Sequence, residues 1–470
     1  MSRIVVCGGS VVGLASAMML AGDGHDVTVL ERDPAPPPAD ASQAWDTWDR
    51  SGVAQFRQPH TLFPPVRHVL EQELPGVVEG LIDAGCIWVD PLAVQPPTMS
   101  DKAARPGDDR FRLVTGRRPV VEAVLAHAAD GHDGVDVRRG VAVAGLLTAK
   151  SLPPTGDGGP YVPEVTGVRT TEGEELFADL VVDATGRRSR LGEWLQAAGG
   201  QAPLVASEDC GFVYHTRYFR GPRLPRLVAP PVSDIGTISL LTIPGDNGTW
   251  SVTVWGSAAD APLKRLREPD RFMAVLAACP LHAHWGRAEP LGDVLSMAGI
   301  LDRYRRFVVD DVPVATGVAA VGDAWACTNP SAGRGVTVGL LHAQRLRRVV
   351  RAGLDEPERF VAAWDRVTEA ELAPFYWDQR AADRARIAEM DGLRAGAAQP
   401  PPDPTAAAVA AASIYDPEVF RGVVERAMCM ALPEEVLARP GFMDRVRACR
   451  GPAPMPLPGP DRTGLVELLR

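Results

Sequence analysis

A strand, a glycine turn, a helix and a second strand ending on an acid open this chain, and no other stretch narrows its fold as much. Residues 3–7 (RIVVC) are a continuous apolar run bounded by glycines, the pattern of a strand buried in a parallel sheet. Val11 to Ala21 predicts a helix, and Asp26 to Leu30 (DVTVL) a second strand closed by Glu31. Together they form one βαβ unit.

The turn is Gly8-Gly9-Ser10-Val11-Val12-Gly13. Set against G-x-G-x-x-G, Gly8 makes the tight turn and Gly13 allows the helix to pack closely on the strand. Ser10 takes the place of the second glycine, beside the pyrophosphate of a bound dinucleotide, where only a small residue fits. Its hydroxyl can donate to a phosphate oxygen. The helix start, with Val12 in its first turn, adds free N–H groups and about half a positive charge. Glu31 is placed to accept both adenosine-ribose hydroxyls, at ~1.5–3 kcal/mol for each charged bond. Arg32 is placed to lie along the adenine. The whole arrangement predicts a dinucleotide site without separating FAD from NAD.

A chain of 470 residues suits about two to three modules. A net charge of −10 argues against a nucleic-acid binder. The seven cysteines are odd in number and widely spaced, with no C-x-x-C. They predict free thiols in a reducing cytoplasm, with neither a disulfide framework nor a zinc site. The first apolar helix is too short for a membrane span, and no basic segment with a cleavage site precedes it.

Further along, a helix is predicted from Arg118 to about Ala129. A strand pair, 135–139 and 141–147, follows, then a turn at Gly156–Gly159. Segments 165–170 and 175–182 look like a hairpin. Alternating strands at 212–219, 237–242 and 249–255 predict an inserted β-rich domain. Val318–Val321 is a short strand and Val336–Leu354 a helix. The tail predicts helices split by a Pro/Ala stretch, Ala397–Ala412. The expected fold is therefore α/β. A Rossmann-type nucleotide domain (1–206 and 290–355) carries an inserted β-sheet substrate domain (207–289) and a C-terminal helical region (356–470).

The second motif decides between cofactors. Ala320-Val321-Gly322-Asp323-Ala324 is followed by Pro330-Ser331-Ala332-Gly333-Arg334-Gly335. A strand delivers an aspartate, and a Gly/Pro-rich loop then opens a long helix. NAD needs no such second site, whereas the ribityl chain and isoalloxazine of FAD extend well beyond the ADP. Asp323 can accept from a ribityl hydroxyl. N–H groups near Gly335 and Val336 point toward the flavin N1–C2=O edge, where a helix dipole stabilises the charge of reduced flavin.

The pairing GGSVVG…E with GDA-x5-P-x2-GRG resembles the group A FAD-dependent monooxygenases, the aromatic-hydroxylase fold, over roughly residues 1–355. In that family the arginine matching Arg118 lies against the FAD pyrophosphate. The segment Trp48 to Gln55, continued to His60, is similar to a loop of the polyene-epoxidase, prenyl-reductase and halogenase-like branch. The likeness implies that Gln55 and His60 border the isoalloxazine or the substrate. Two features depart from the family. Thr185 replaces the aspartate of the A-D-G motif, which leaves open whether NAD(P)H docks directly or a partner flavin reductase supplies electrons. The W-x-W-x-I-P motif of tryptophan halogenases is absent.

The resemblance implies a monooxygenase of secondary metabolism, with FAD as cofactor, NAD(P)H as electron source, and O2 and an apolar or aromatic small molecule as substrates; the cysteine usage and the N-terminal segment place it in the cytoplasm. Oxygen would pass from a flavin C4a-hydroperoxide as a hydroxylation or epoxidation. Phe212, Tyr214, Tyr218, Leu240, Trp250 and Trp255 are expected either on the substrate wall or in the core. Two alternatives remain: a flavin-dependent reductase of isoprenoid double bonds, and a non-catalytic flavin-binding module. No catalytic residue is assigned. His282 and His284 are expected at the surface, and Cys327 in packing.

Overall fold

The computed structural model describes residues 1–53, 55–149, 161–399, 401 and 403–470. In chain order, the elements that position the site begin with β1 (Arg3–Cys7), α1 (Val11–Ala21), β2 (Asp26–Glu31), α2 (Arg118–Asp130), β3 (Val135–Arg139) and β4 (Leu180–Asp183). Then come β5 (Phe212–Arg220), β6 (Ile238–Pro244), β7 (Thr249–Ser257), β8 (Leu295–Ala298), β9 (Leu301–Arg306) and β10 (Val318–Ala320). The helices α3 (Gly335–Arg351), α4 (Pro357–Glu371) and α5 (Ala373–Ala395) follow.

Strands β10, β4, β1, β2 and β3 lie side by side in that order, every pairing parallel. The centre of this sheet is β1, whose side chains leave it alternately. Ile4 and Val6 join the core that holds α1, α2 and α3, while Val5 and Cys7 join the core on the opposite face. Burial on both faces is why this strand has no polar alternation. The glycine turn is set by contact. Gly8 has φ +110°, and a Cβ there would stand 2.5 Å from the Ala184 carbonyl oxygen. A Cβ on Gly13 would stand 1.9 Å from the Gly8 carbonyl oxygen, so α1 can start this close to β1 only with glycine at that place.

Several boundaries differ from the sequence expectation. Segment 135–139 joins the parallel sheet as β3, beside β2, rather than pairing with the strand after it. That next strand, Val143–Ala149, pairs with Glu164–Thr170, which also pairs with Glu175–Phe177. The expected turn at Gly156–Gly159 lies outside the described residues. The Pro/Ala stretch contains a helix, Pro404–Ser413. Alanine is the strongest helix former, proline suits the first helical position, and the Asp403 carboxylate caps the Ala406 N–H at 2.8 Å.

The inserted sheet is antiparallel, with β6, β7 and β5 adjacent in that order and β8 also paired to β5. It therefore takes in residues beyond the boundary expected at 289. The strand period separates the aromatic residues expected on the substrate wall. Leu240 and Trp250 go to the outer face, where they pack with Phe272, Val275 and Trp285. Phe212, Tyr214 and Trp255 go to the inner face, beneath Ile387 and Met390 of α5. Tyr218 shares that inner face by its register with Ser251. Among the described residues, no helix is long and apolar enough to cross a membrane.

The close approach of α1 gives a direct test. Gly13→Ala should lower stability by about 1–3 kcal/mol through overpacking, seen as a lower midpoint in chemical denaturation. An unchanged midpoint would mean that α1 does not lie against the Gly8 carbonyl.

Candidate functional site

A cleft whose free space, open mouth included, is about 1200 Å³ runs along the ends of β1, β4 and β10. Ligand sites of open parallel sheets form at strand ends of this kind. Ser10, Val12, Gly13 and Arg118 line one part of it. Asp323, Pro330, Gly333, Gly335 and Val336 line another. Residues far apart in the chain thus meet in one place. Met297 of β8 brings the inserted sheet to the same cleft.

Two helices start there. Ser10 precedes α1 and Arg334 precedes α3; neither helix has a side-chain cap or an acid in its first turn. Their first N–H groups have no acceptor within the helix, and both positive ends face the cleft. Among the described residues that line it, Arg118, Arg187 and Arg188 are basic and Asp323 is acidic. A protein of net charge −10 therefore surrounds this cleft with donors and positive charge. The surroundings suit an elongated ligand with an anionic centre and carbonyl oxygens, as the two phosphates and ring carbonyls of FAD provide. Burial pushes the Asp323 carboxyl above its usual range, while Arg187 and Arg118 act against that shift.

Arg118 is held rather than free. Its Nε donates to Glu122 Oε1 at 2.6 Å and its Nη2 to Ser10 Oγ at 3.1 Å. Its Nη1 meets His60 Nε2 at 3.1 Å and Gln55 Oε1 at 3.4 Å. His60 donates from Nδ1 to the Gln58 carbonyl at 2.8 Å, so Nε2 is the acceptor for Arg118. Burial and the Arg118 charge push the His60 pKa down to about 3, and the ring is neutral.

Three expected cofactor residues do not line the cleft. Gly8 lies beneath the turn against Ala184. Glu31 is 7% exposed and faces inward. Its carboxylate accepts the Gly9 N–H and the Asp33 N–H, each at 2.8 Å, and meets Arg50 Nη2 at 2.5 Å. Arg32 donates to the Gly52 carbonyl at 2.8 Å. The residue that reorganises this corner is Arg50, 3% exposed, from the loop segment Trp48 to Gln55. It also donates to Glu122 at 2.7 Å and to the Gly9 carbonyl at 2.9 Å, and lies 3.4 Å from Asp33. A lone arginine in a polar loop carries no sign of burial, so sequence could not give it this role.

Other residues also find their places. Thr185 donates its hydroxyl to Asp183 at 2.6 Å, inward from the cleft it lines. Arg187 donates to the buried Cys327 thiol at 3.1 Å. A basic pair directly after the β4 strand end was the available signal for Arg187 and Arg188. His282 is buried and bonded to Ser233, contrary to the surface expectation, because its loop folds back under the sheet; His284 is half-buried on the Arg226 carbonyl. Among the described residues, no group of three or more His, Cys, Asp or Glu is arranged to hold a metal.

The Asp323 turn is supported from behind by His342 of α3. This ring is fully buried, stacked on Trp364 at 4.4 Å and edge-on to Trp325 at 4.6 Å. Its Nδ1 accepts the Gly322 N–H at 3.3 Å and its Nε2 donates to Thr368 at 3.2 Å. Burial pushes its pKa down to about 3.

Two tests follow from this geometry. Arg50→Met leaves the buried carboxylates of Glu31 and Asp33 without a cation, and Glu122 with Arg118 alone, and should cost about 3–5 kcal/mol in denaturant unfolding; a loss below about 1 kcal/mol would refute the buried network. His342 titrates lower in the fold than in the unfolded chain, near 6.5. Between those values the unfolded chain holds the extra proton, so stability falls as pH falls, by about 1.4 kcal/mol per pH unit. His342→Gln should flatten stability against pH below about 6.5 by roughly one proton, and equal slopes would contradict a buried neutral ring.

No family model matches the chain. Over 372 residues it is 29% identical to protein Rv3254 of Mycobacterium tuberculosis, covering 74% of this chain and 73% of that protein. The flavin-dependent brominase Bmp2 superposes with a TM-score of 0.59 at 15% identity, over 95% of this chain and 99% of that one. PqsL of Pseudomonas aeruginosa, a probable FAD-dependent monooxygenase, gives 0.56 at 16%, over 83% and 99%. At these identities the likeness is one of fold: the chain shares its α/β architecture with a flavin-dependent brominase and a probable FAD-dependent monooxygenase.

Proposed function

We propose that the protein is an FAD-dependent monooxygenase that places one oxygen atom from O2 into an apolar or aromatic small molecule. The observation that carries this reading is the convergence of two uncapped helix starts, three arginines and Asp323 on one cleft beside the inserted sheet.

In this reading the N–H groups at the start of α1, with Arg118, hold the pyrophosphate; the Ser10 hydroxyl, expected to donate to a phosphate, donates instead to Glu122 at 2.8 Å and accepts from Arg118, so it orients that arginine. Asp323 would be the acceptor for a ribityl hydroxyl. The start of α3, at Gly335 and Val336, would favour negative charge on a bound flavin ring. Glu31 acts by buttressing the turn, because its oxygens are already engaged by backbone and Arg50. Bound FAD supplies the redox equivalents and, when reduced, the activation of O2.

The protein's own part is orientation and dryness. Tyr214 donates to Asn329 Oδ1 at 2.6 Å, which ties the inner face of the sheet to the cleft wall. Neutral His60 keeps Arg118 turned toward Ser10 and has no proton to give near pH 7. Thr185, with its hydroxyl proton given to Asp183, offers no free hydroxyl donor to a nicotinamide. That favours electrons from NAD(P)H delivered by a partner flavin reductase.

Purified protein should be yellow and release FAD on denaturation. Asp323→Ala should weaken FAD retention about tenfold, the loss of one charge-assisted hydrogen bond. With a flavin reductase, NADPH and labelled O2, turnover of an apolar or aromatic substrate should give product carrying one labelled atom. Unlabelled product formed equally well without air would sink the monooxygenase reading in favour of double-bond reduction.

A further inference from the structure

The helix α5 lies beyond the segment that carries the sequence resemblance, yet it reaches the loop that walls the cleft. Asn329, Pro330 and Gly333 line the cleft. Ser331, between them, donates its hydroxyl to Asp383 Oδ1 at 2.6 Å. Gln379, one turn earlier on α5, donates to Ser331 Oγ at 2.7 Å and to both Asp383 oxygens at 3.0 Å. Asn329 is fixed from the other side. Its backbone N–H donates to Asp302 Oδ1 at 2.6 Å, and its side-chain oxygen accepts from Tyr214. Arg334, immediately before α3, pairs with Asp378 of α5 at 2.7 Å.

These groups are deeply buried: Asp383 is 5% exposed, Gln379 2% and Asn329 1%. A carboxylate at that depth costs stability unless its lone pairs are met, and apolar side chains would pack the same helix at less cost. What hydrogen bonds add is direction. They fix where Ser331 stands, and with it the loop between Asn329 and the first turn of α3.

We propose that Gln379 and Asp383 are positioning residues of the cofactor site, holding the Asn329–Gly333 loop and the start of α3 in register with the flavin ring. The proposal rests on the FAD reading given above. It makes α5 a working part of the site.

The test uses the full chain and four proteins: wild type, Asp383→Asn, Asp383→Leu and Ser331→Ala. FAD dissociation constants, the visible spectrum and fluorescence of bound flavin, and the thermal midpoint of the apoprotein are measured for each. Asp383→Leu and Ser331→Ala should weaken FAD binding about tenfold and alter the bound-flavin spectrum. Asp383→Asn, whose amide oxygen can accept from Ser331 and Gln379 in place of Oδ1 though not of Oδ2, keeps the bond to the loop and should restore the wild-type spectrum. Ser331→Ala removes the contact from the loop side with α5 intact, so it decides the matter if Asp383→Leu does not fold. Wild-type affinity and spectrum in Ser331→Ala would overturn the proposal, as would failure of Asp383→Asn to restore the spectrum. A wild-type protein that takes up no FAD would instead overturn the cofactor reading itself.

Discussion

One buried guanidinium joins the four pieces of chain that make the nucleotide corner. Arg50 contacts Glu31 at the end of β2, Asp33 just beyond it, the Gly9 carbonyl in the turn and Glu122 on α2. A charge this deep is tolerated only when surrounded by opposite charge and hydrogen-bond acceptors. Once it is in place, the carboxylates it neutralises can serve as backbone acceptors. Glu31 then caps the Gly9 N–H, and Glu122 orients both Ser10 and Arg118. The cleft's basic face is therefore built on an acidic foundation that Arg50 makes affordable.

On that foundation the site gathers charge by geometry. α1 begins where Gly13 lets it touch β1, and α3 begins where the Gly333 turn, at φ +68°, releases it. Each start presents unmet N–H groups, and three arginines line the same cleft. The protein as a whole is acidic, so the basic character of the cleft is local. Asp323 is the exception, and it sits at the turn that His342 holds from behind.

The C-terminal helices take part in the same arrangement. α5 covers the inner face of the sheet with Ile387 and Met390 and holds the cleft loop through Ser331 and Arg334. Further out, Arg426 also pairs with Asp378, and Arg421 pairs with Asp108 at 2.6 Å, so the last helices are tied to both α5 and the N-terminal half. Exposed pairs of this kind contribute little singly, but the half-buried ones fix orientation.

The amino-acid sequence by itself determined the βαβ unit, the glycine turn and the Asp323 turn. Each is local: a continuous apolar run, residues small enough for close approach, and a helix start are all legible over a few positions. It also marked nine of the twelve expected cofactor residues that come to line the cleft, because motif residues near helix starts have a fixed direction. Only the tertiary structure decided the rest. It turned Glu31 inward, because the charge that claims it, Arg50, comes from a loop nineteen residues later whose burial no local pattern signals. It split the sheet's aromatic residues between two faces by pairing register, and it brought Asp383 to Ser331 across 52 positions. Contacts between distant segments depend on packing, and packing leaves no period in a single sequence.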